Sequence, residues 1–163
     1  MHSITLQPIS EFVLERIAAG LPVELDGLRA AEGALPPPHV AKRALGNLAR
    51  GCMPLWSVPF NIIDESGSLV VGGCGFKGAP DQGEVEIGYG IAASCMRRSF
   101  GSRGVTALLE MAKTAGICRV VAHITPDNVA SSALAKSVGF TEEGAVVDSE
   151  GEHVIRWLWK SET

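Results

Sequence analysis

No stretch of this chain approaches the ~20 consecutive apolar residues of a membrane span. The opening residues, MHSITLQPISEF, lack the basic start and apolar run that direct secretion. Basic residues are in the minority: 14 Lys and Arg stand against 18 Asp and Glu, a formal net charge of -4, where a nucleic-acid binder shows a basic excess. Aromatics are scarce at 6%, with a single tyrosine, so any step that needs a phenol has one candidate. Cys52, Cys74, Cys95 and Cys118 form no C-x-x-C pair and no His-Cys cluster of zinc spacing, so reduced thiols are expected and a metal is not. The P-loop pattern G-x-x-x-x-G-K-[ST] is missing. These absences lead us to expect a soluble cytoplasmic protein whose partners are neither nucleic acid nor membrane.

What is present is the makings of one core. The 163 residues are 46% hydrophobic and 20% charged, and a single domain over residues 1–163 is expected. A chain of this size buries roughly 70% of its extended surface.

Ile4 to Ile9 reads as a first strand, and Ser10 as the cap of a helix carrying Phe12, Val13, Leu14 and Ile17. Residues 22–38, punctuated by Pro36-Pro37-Pro38, read as an irregular segment lying over the fold, followed by a helix from about His39 to Arg50. Leu55 to Ile63, Leu69 to Phe76 and Glu84 to Ile91 read as three strands joined by short turns, an antiparallel meander. Val105, Leu108, Leu109, Ala112 and Ala115 then recur with helical period, between Ser102 as a cap and Gly116 as a stop. Cys118 to Thr125 is a buried strand, Asn128 to Val138 a helix closed by Gly139, and Phe140 to Asp148 with His153 to Lys160 a last hairpin.

Strand, helix, strand from Glu84 to Thr125 implies a parallel pair with a right-handed crossover. The expected fold is therefore α/β (α+β): a mixed, mostly antiparallel sheet containing one parallel pair, with helices on both faces.

The turn after the third meander strand concentrates the chemistry. Arg97, Arg98 and Arg103 lie there without an acid, among Ser99, Gly101, Ser102 and Gly104. Small residues let the backbone approach a ligand, and the amides of a helix start attract anions. The stretch is either a diphosphate cradle or an ordinary Gly/Ser turn with solvated arginines. Pro126-Asp127-Asn128-Val129-Ala130-Ser131 follows the parallel strand at its C-terminal end, where open sheets bind ligands. There Asn128 is a ligand contact or a plain helix cap.

GEVEIGYGIAAS, the small-residue turn, and PDNVASSALAKSVGFTEEG, in that order and spacing, resemble the GNAT superfamily of N-acetyltransferases. The likeness is nearest to its ribosomal-protein-alanine (Rim-type) branch and is clearest from Gly72 to Gly144. The superfamily's pyrophosphate motif is Arg or Gln, two residues, Gly, one residue, then Gly or Ala. Aligned without gaps from VEIGY, it falls on Met96 to Gly101, so that Met96 and Ser99 depart from the pattern and Gly101 fits it.

The resemblance implies acetyl-coenzyme A as co-substrate, lying where the third meander strand and the parallel strand splay apart. Its pantetheine arm would pair with backbone near Ile91 and Ala92. Its pyrophosphate would sit on the amides of Arg97, Arg98, Ser99, Phe100, Gly101 and Ser102, and Asn128 would bond the pantetheine or phosphate portion. The implied activity is acetyl transfer from acetyl-coenzyme A to a primary amine, a protein N-terminus or a small amine, by direct attack in a ternary complex. A non-catalytic coenzyme A or acyl-coenzyme A binding module, or a binder of another phosphate ligand on a similar sheet, are the other classes compatible with the residues. The protein would act as a monomer or homodimer.

Acetyl transfer needs a base for the alkylammonium, a donor for the oxyanion and a proton for the departing thiolate. Strand alternation puts Glu84, Glu86 and Gly88 on one face and Val85, Ile87 and Tyr89 on the other. Glu86 is the candidate base, its other role being a structural hydrogen-bond acceptor; Glu84, nearer the turn, is expected to be solvated. Similar enzymes suggest Ser131 as proton donor to the sulfur. Many superfamily members use a tyrosine for that step; the one tyrosine here, Tyr89, lies opposite Glu86 by alternation and is not preferred. His123 is expected to be structural or at the surface.

Overall fold

The computed structural model describes residues 3–162. Its strands and helices run in the order β1 (Ile4–Pro8), α1 (Glu11–Ala18), β2 (Arg29–Ala30), α2 (Pro38–Ala49), α3 (Pro54–Ser57), β3 (Phe60–Asp64), β4 (Leu69–Phe76), β5 (Glu84–Ile91), α4 (Phe100–Thr114), β6 (Arg119–Ile124), α5 (Val129–Ser137), β7 (Thr141–Val147) and β8 (His153–Lys160). One sheet has the order β1-β3-β4-β5-β6-β8-β7, with the short β2 beside β4. Its pairs are antiparallel except β5–β6 and β2–β4. The mixed sheet, the meander and the parallel pair read from the sequence are all present.

Local chemistry explains the helix boundaries. Ser10 accepts from the Val13 amide at 3.2 Å and starts α1. Pro38 opens α2 at a position where a missing amide costs nothing. Gly116 and Gly139 follow α4 and α5 at φ +85° and +105°, the left-handed conformation that closes helices. Leu55 to Ile63 is not one strand, as the sequence reading has it. Pro54–Ser57 forms a helical turn, in which the Ser57 hydroxyl bonds back to the Met53 carbonyl at 2.9 Å. Pro59 then keeps the ladder from starting before Phe60.

The two faces of the sheet are covered differently. Val105, Leu108 and Ala112 of α4 pack with Ile62, Val85 and Ile87 in the main core. Gly104 permits this approach, because a Cβ there would stand 2.5 Å from Ile62 Cδ1. Leu14 and Ile17 of α1 form a smaller cluster with Ala41 and Ala44 of α2. Asn47 of α2 donates to the Lys77 carbonyl at 3.3 Å and pins that helix to the end of β4. Helices thus lie on both faces, and the face toward α2 keeps an open cleft.

Candidate active site

The parallel ladder between β5 and β6 ends at Ile87–Ala122, although β5 runs on to Ile91 and β6 to Ile124. Past that pair the strands part. The β4–β5 ladder decides which backbone groups face the gap. Lys77 bonds Glu86 (2.8 Å) and Ala92 bonds Val71 (2.8 Å), so residues 86, 88, 90 and 92 turn their amides and carbonyls toward β4. Tyr89 and Ile91 turn theirs toward the gap.

Ile91 therefore sits where a donor arm could pair with it. Ala92 does not: its amide donates to Val71 and its carbonyl accepts from Cys95 at 2.8 Å, so both groups are engaged. The next backbone turned to the gap is that of Tyr89, not Ala92. Counting alternate residues back from Ile91 along the strand would have found it.

The chain then makes a 3-10 turn at Ala93–Cys95 and enters a loop of unusual backbone. Arg97 and Ser99 both take φ of +65°. Alternating left- and right-handed residues curl successive amides into a concave anion site. Ser99 is the cap position of α4, yet its side chain makes no cap bond. The Ser102 hydroxyl donates to the Ser99 carbonyl instead, at 3.1 Å. In the gapless alignment Ser99 occupies the motif's first glycine, and the left-handed conformation falls on that residue. Helix α4 starts at Phe100, two residues before the Ser102 cap read from the sequence. Phe100 is buried, at 2% exposed, and anchors the helix start in the core. Gly101 is needed for contact, since a Cβ there would lie 2.4 Å from Leu134 Cδ1 and 3.1 Å from Ile91 Cγ1. Met96, Arg97 and Arg98 are exposed around the loop.

Helix α5 begins across the gap. Asn128 is its cap, accepting from the Ser131 amide at 3.1 Å, so its side-chain oxygen is engaged within the helix. The Tyr89 hydroxyl donates to the Ser131 carbonyl at 2.8 Å. Burial pushes that phenol well above the ordinary tyrosine range, which keeps it a donor. Ser131 is half-buried and lies on the side of the sheet toward which Tyr89 points.

Glu86 lies on the opposite face and has company the sequence reading missed. Lys77 Nζ is 3.1 Å from its Oε2, and His123 Nδ1 is 3.0 Å from the same oxygen. The imidazole makes no aligned hydrogen bond there, so the two groups are close without being bonded. His123 stands one residue past the last paired position of β6, on the same face as Glu86. Placing β6 parallel to β5 in register would have predicted this meeting. Glu84 is not simply solvated either. Arg156 reaches it at 2.6 Å and Arg119 at 3.5 Å, and Arg156 also holds Glu143 at 2.8 Å. The Arg156 hydrogen bond holds the Glu84 carboxyl below its ordinary range.

On the Glu86 face lies a cleft of about 360 Å3 between the sheet and α2 with its preceding loop. Gly88 to Ile91 form one end of its lining, so the cleft and the gap share strand β5. Glu86 and Ser131 thus approach one line, the edge of β5 beyond Ile87, from opposite faces of the sheet. Among the described residues no group of His, Cys, Asp and Glu could hold a metal ion.

Comparison with known proteins bears on the family and the fold. The family model described as "Acetyltransferase (GNAT) domain" matches residues 36–141. The chain is 32% identical over 93 residues to the uncharacterized N-acetyltransferase p20 of Bacillus licheniformis, a match over 56% of this chain and 52% of that one. The chain thus spans about half the length of that relative. Among solved structures, the ribosomal-protein-S5-alanine acetyltransferase of Vibrio fischeri shares the fold at a TM-score of 0.67 and 16% identity, over 98% of this chain and 96% of that one. The aminoglycoside acetyltransferase AAC(6')-Ib, solved with coenzyme A, does so at a TM-score of 0.68 and 17% identity, over 97% and 95%. The family match covers more than half of the chain, and the protein belongs to the GNAT acetyltransferase domain family.

Proposed function

We propose that residues 1–163 act as one acetyl-coenzyme-A-dependent N-acetyltransferase domain that acetylates a primary amine by direct attack in a ternary complex. One observation carries the reading: the gap between β5 and β6 lies between a left-handed amide loop on one side and Glu86 with its open cleft on the other. The donor supplies the acetyl thioester. The residues fit it, since the backbone of Tyr89 and Ile91 faces the gap and the amides following Arg97 form an anion cradle ringed by Arg97 and Arg98.

Glu86 takes the proton from the acceptor ammonium, directly or through one water. The free amine then forms its bond to the acetyl carbon as the carbon–sulfur bond breaks. Ser131 supplies the proton that the departing sulfur takes up and regains one from the second proton that the nitrogen sheds as it becomes an amide, and Tyr89 holds Ser131 in place through its carbonyl. The four unpaired cysteines fit a reducing, cytoplasmic setting.

Two measurements test this. Titration calorimetry with acetyl-coenzyme A is expected to give one-site binding, and a panel of amines and peptides is expected to release free thiol. Absence of donor binding overturns the reading. Donor binding without thiol release from any panel member favours a coenzyme A binding module instead.

A further inference from the structure

The cleft beside Glu86 has a distinctive charge. The chain is acidic overall, yet among the described residues no Asp or Glu lines this cleft; its ionisable side chains of basic type are His39, Arg43 and Lys77. Lys77 is already paired with Glu86 at 3.1 Å. Arg43 is half-buried on the wall formed by α2, and among the described residues no carboxylate comes within the 4.0 Å of an ion pair. Glu86 and Glu150 attract it from farther away, and burial weighs against its charge. A partly desolvated guanidinium without a counter-ion binds a carboxylate well, because its planar fork matches the two oxygens.

Its position is fixed rather than accidental. Arg43 lies one helical turn before Asn47, which ties α2 to the Lys77 carbonyl, so the same face of α2 is held against the sheet. Below it the floor is bare backbone. Gly73 pairs with Gly90 and Gly75 with Gly88, and alternation points all four toward the cleft. A Cβ on Gly90 would meet nothing within 4 Å, so the space above it is open to a ligand. Pro36, Pro37 and Pro59 stiffen the rim. At about 360 Å3 the cleft is at the small end of ligand sites. A polycation would meet only like charge on its walls.

We propose that Arg43 binds the acceptor and that the acceptor is a small amine carrying a carboxylate, of amino-acid type, with its carboxylate on the guanidinium and its amine toward Glu86. The amine half of this statement rests on the acetyl-transfer reading above; the anion site does not.

The test uses the full chain loaded with coenzyme A for binding, and with acetyl-coenzyme A for turnover. The probes are the free L-amino acids, the corresponding amides, and spermidine. At least one free acid is expected to bind about 10- to 100-fold more tightly than its own amide. Arg43→Gln is expected to abolish that advantage while leaving the amide unchanged, and Arg43→Lys to keep part of it. The proposal is overturned by amides or spermidine binding as well as every acid, by a preference that survives Arg43→Gln, or by no free acid binding at all. An acid that binds through Arg43 without thiol release keeps the anion site and overturns acetyl transfer. Thiol release with acceptors indifferent to Arg43 does the reverse.

Discussion

The hydroxyl of Tyr89 donates to the backbone carbonyl of Ser131 across 2.8 Å, and so ties strand β5, at the point where it leaves β6, to the first turn of α5. This is the sole tyrosine of the chain. It acts on the proposed site through another residue's backbone, as a positioning group.

Tyr89→Phe removes that bond and nothing else of size. We expect a loss of about 1 kcal/mol in stability and a lower kcat as Ser131 loosens. The pH dependence has a definite sign. Burial raises the folded phenol, so the unfolded chain loses this proton first, at about pH 10. The Tyr89 contribution is full below that pH and is lost as pH rises beyond it. Thermal melts from pH 8 to 11 check this, the fall being shallower in Tyr89→Phe. Cys74, pushed up to about 12 by burial, contributes a second proton to the same decline and is untouched by the variant.

Glu86→Gln keeps the size of the side chain at the meeting point of Lys77 and His123 but cannot accept a proton. If Glu86 is the base, kcat falls about 10²- to 10⁴-fold while acetyl-coenzyme A affinity, read by calorimetry, holds. Unchanged turnover with an identified acceptor removes the role.

Much of this was legible from residue order. Alternation in GEVEIGYGI put Glu86 and Tyr89 on opposite faces, as found, because period two leaves no other choice while the strand stays paired with β4 through both positions. The helix period in α4 and the stop at Gly116 were equally plain. Three things were not. The cut of Leu55–Ile63 into a turn and a strand depends on the Ser57 bond to Met53 and on Pro59, local events inside an apolar stretch. The engagement of Ala92 depends on the β4 register. Lys77 and His123 meet at Glu86, and Arg43 shares a cleft with Lys77, from segments far apart in sequence, and charge alone does not reveal either meeting.

Arg156 links three strands by holding Glu84 of β5 and Glu143 of β7 from its place on β8. The Glu84 carboxyl is depressed mainly by that hydrogen bond, so its contribution is present above about pH 4.3 and is lost as pH falls below it. Arg156→Gln is expected to flatten the decline of melting temperature between pH 5 and 3. Screening of these part-exposed groups limits the effect to about 1 kcal/mol, and added salt shrinks it in the wild type only.

The cysteines differ in access. Cys74 and Cys95 are buried, Cys52 is half-buried and Cys118 is exposed. A disulfide reagent added to the native protein should titrate Cys118 quickly, Cys52 slowly, and the other two only on unfolding. Cys118→Ser removes the fast phase. It is also the sensible background for thiol-release assays, because Cys118 lies just before β6, away from the gap.

Ser99 holds a left-handed conformation that costs a residue with a Cβ roughly 1–2 kcal/mol relative to glycine. Its side chain recovers none of this through a cap bond. Ser99→Gly should therefore raise stability by about 1 kcal/mol. The loop keeps its shape in that variant, so acetyl-coenzyme A binding should be equal or tighter. Gly101→Ala runs the other way. Its new methyl falls 2.4 Å from the Leu134 tip and 3.1 Å from Ile91 Cγ1, so the leucine must turn aside and Ile91 give way, and it should cost about 1 kcal/mol together with donor affinity. Denaturant melts and calorimetry on the pair separate strain in the loop from crowding behind it. If Ser99→Gly weakens donor binding, the hydroxyl rather than the backbone curl holds the phosphates.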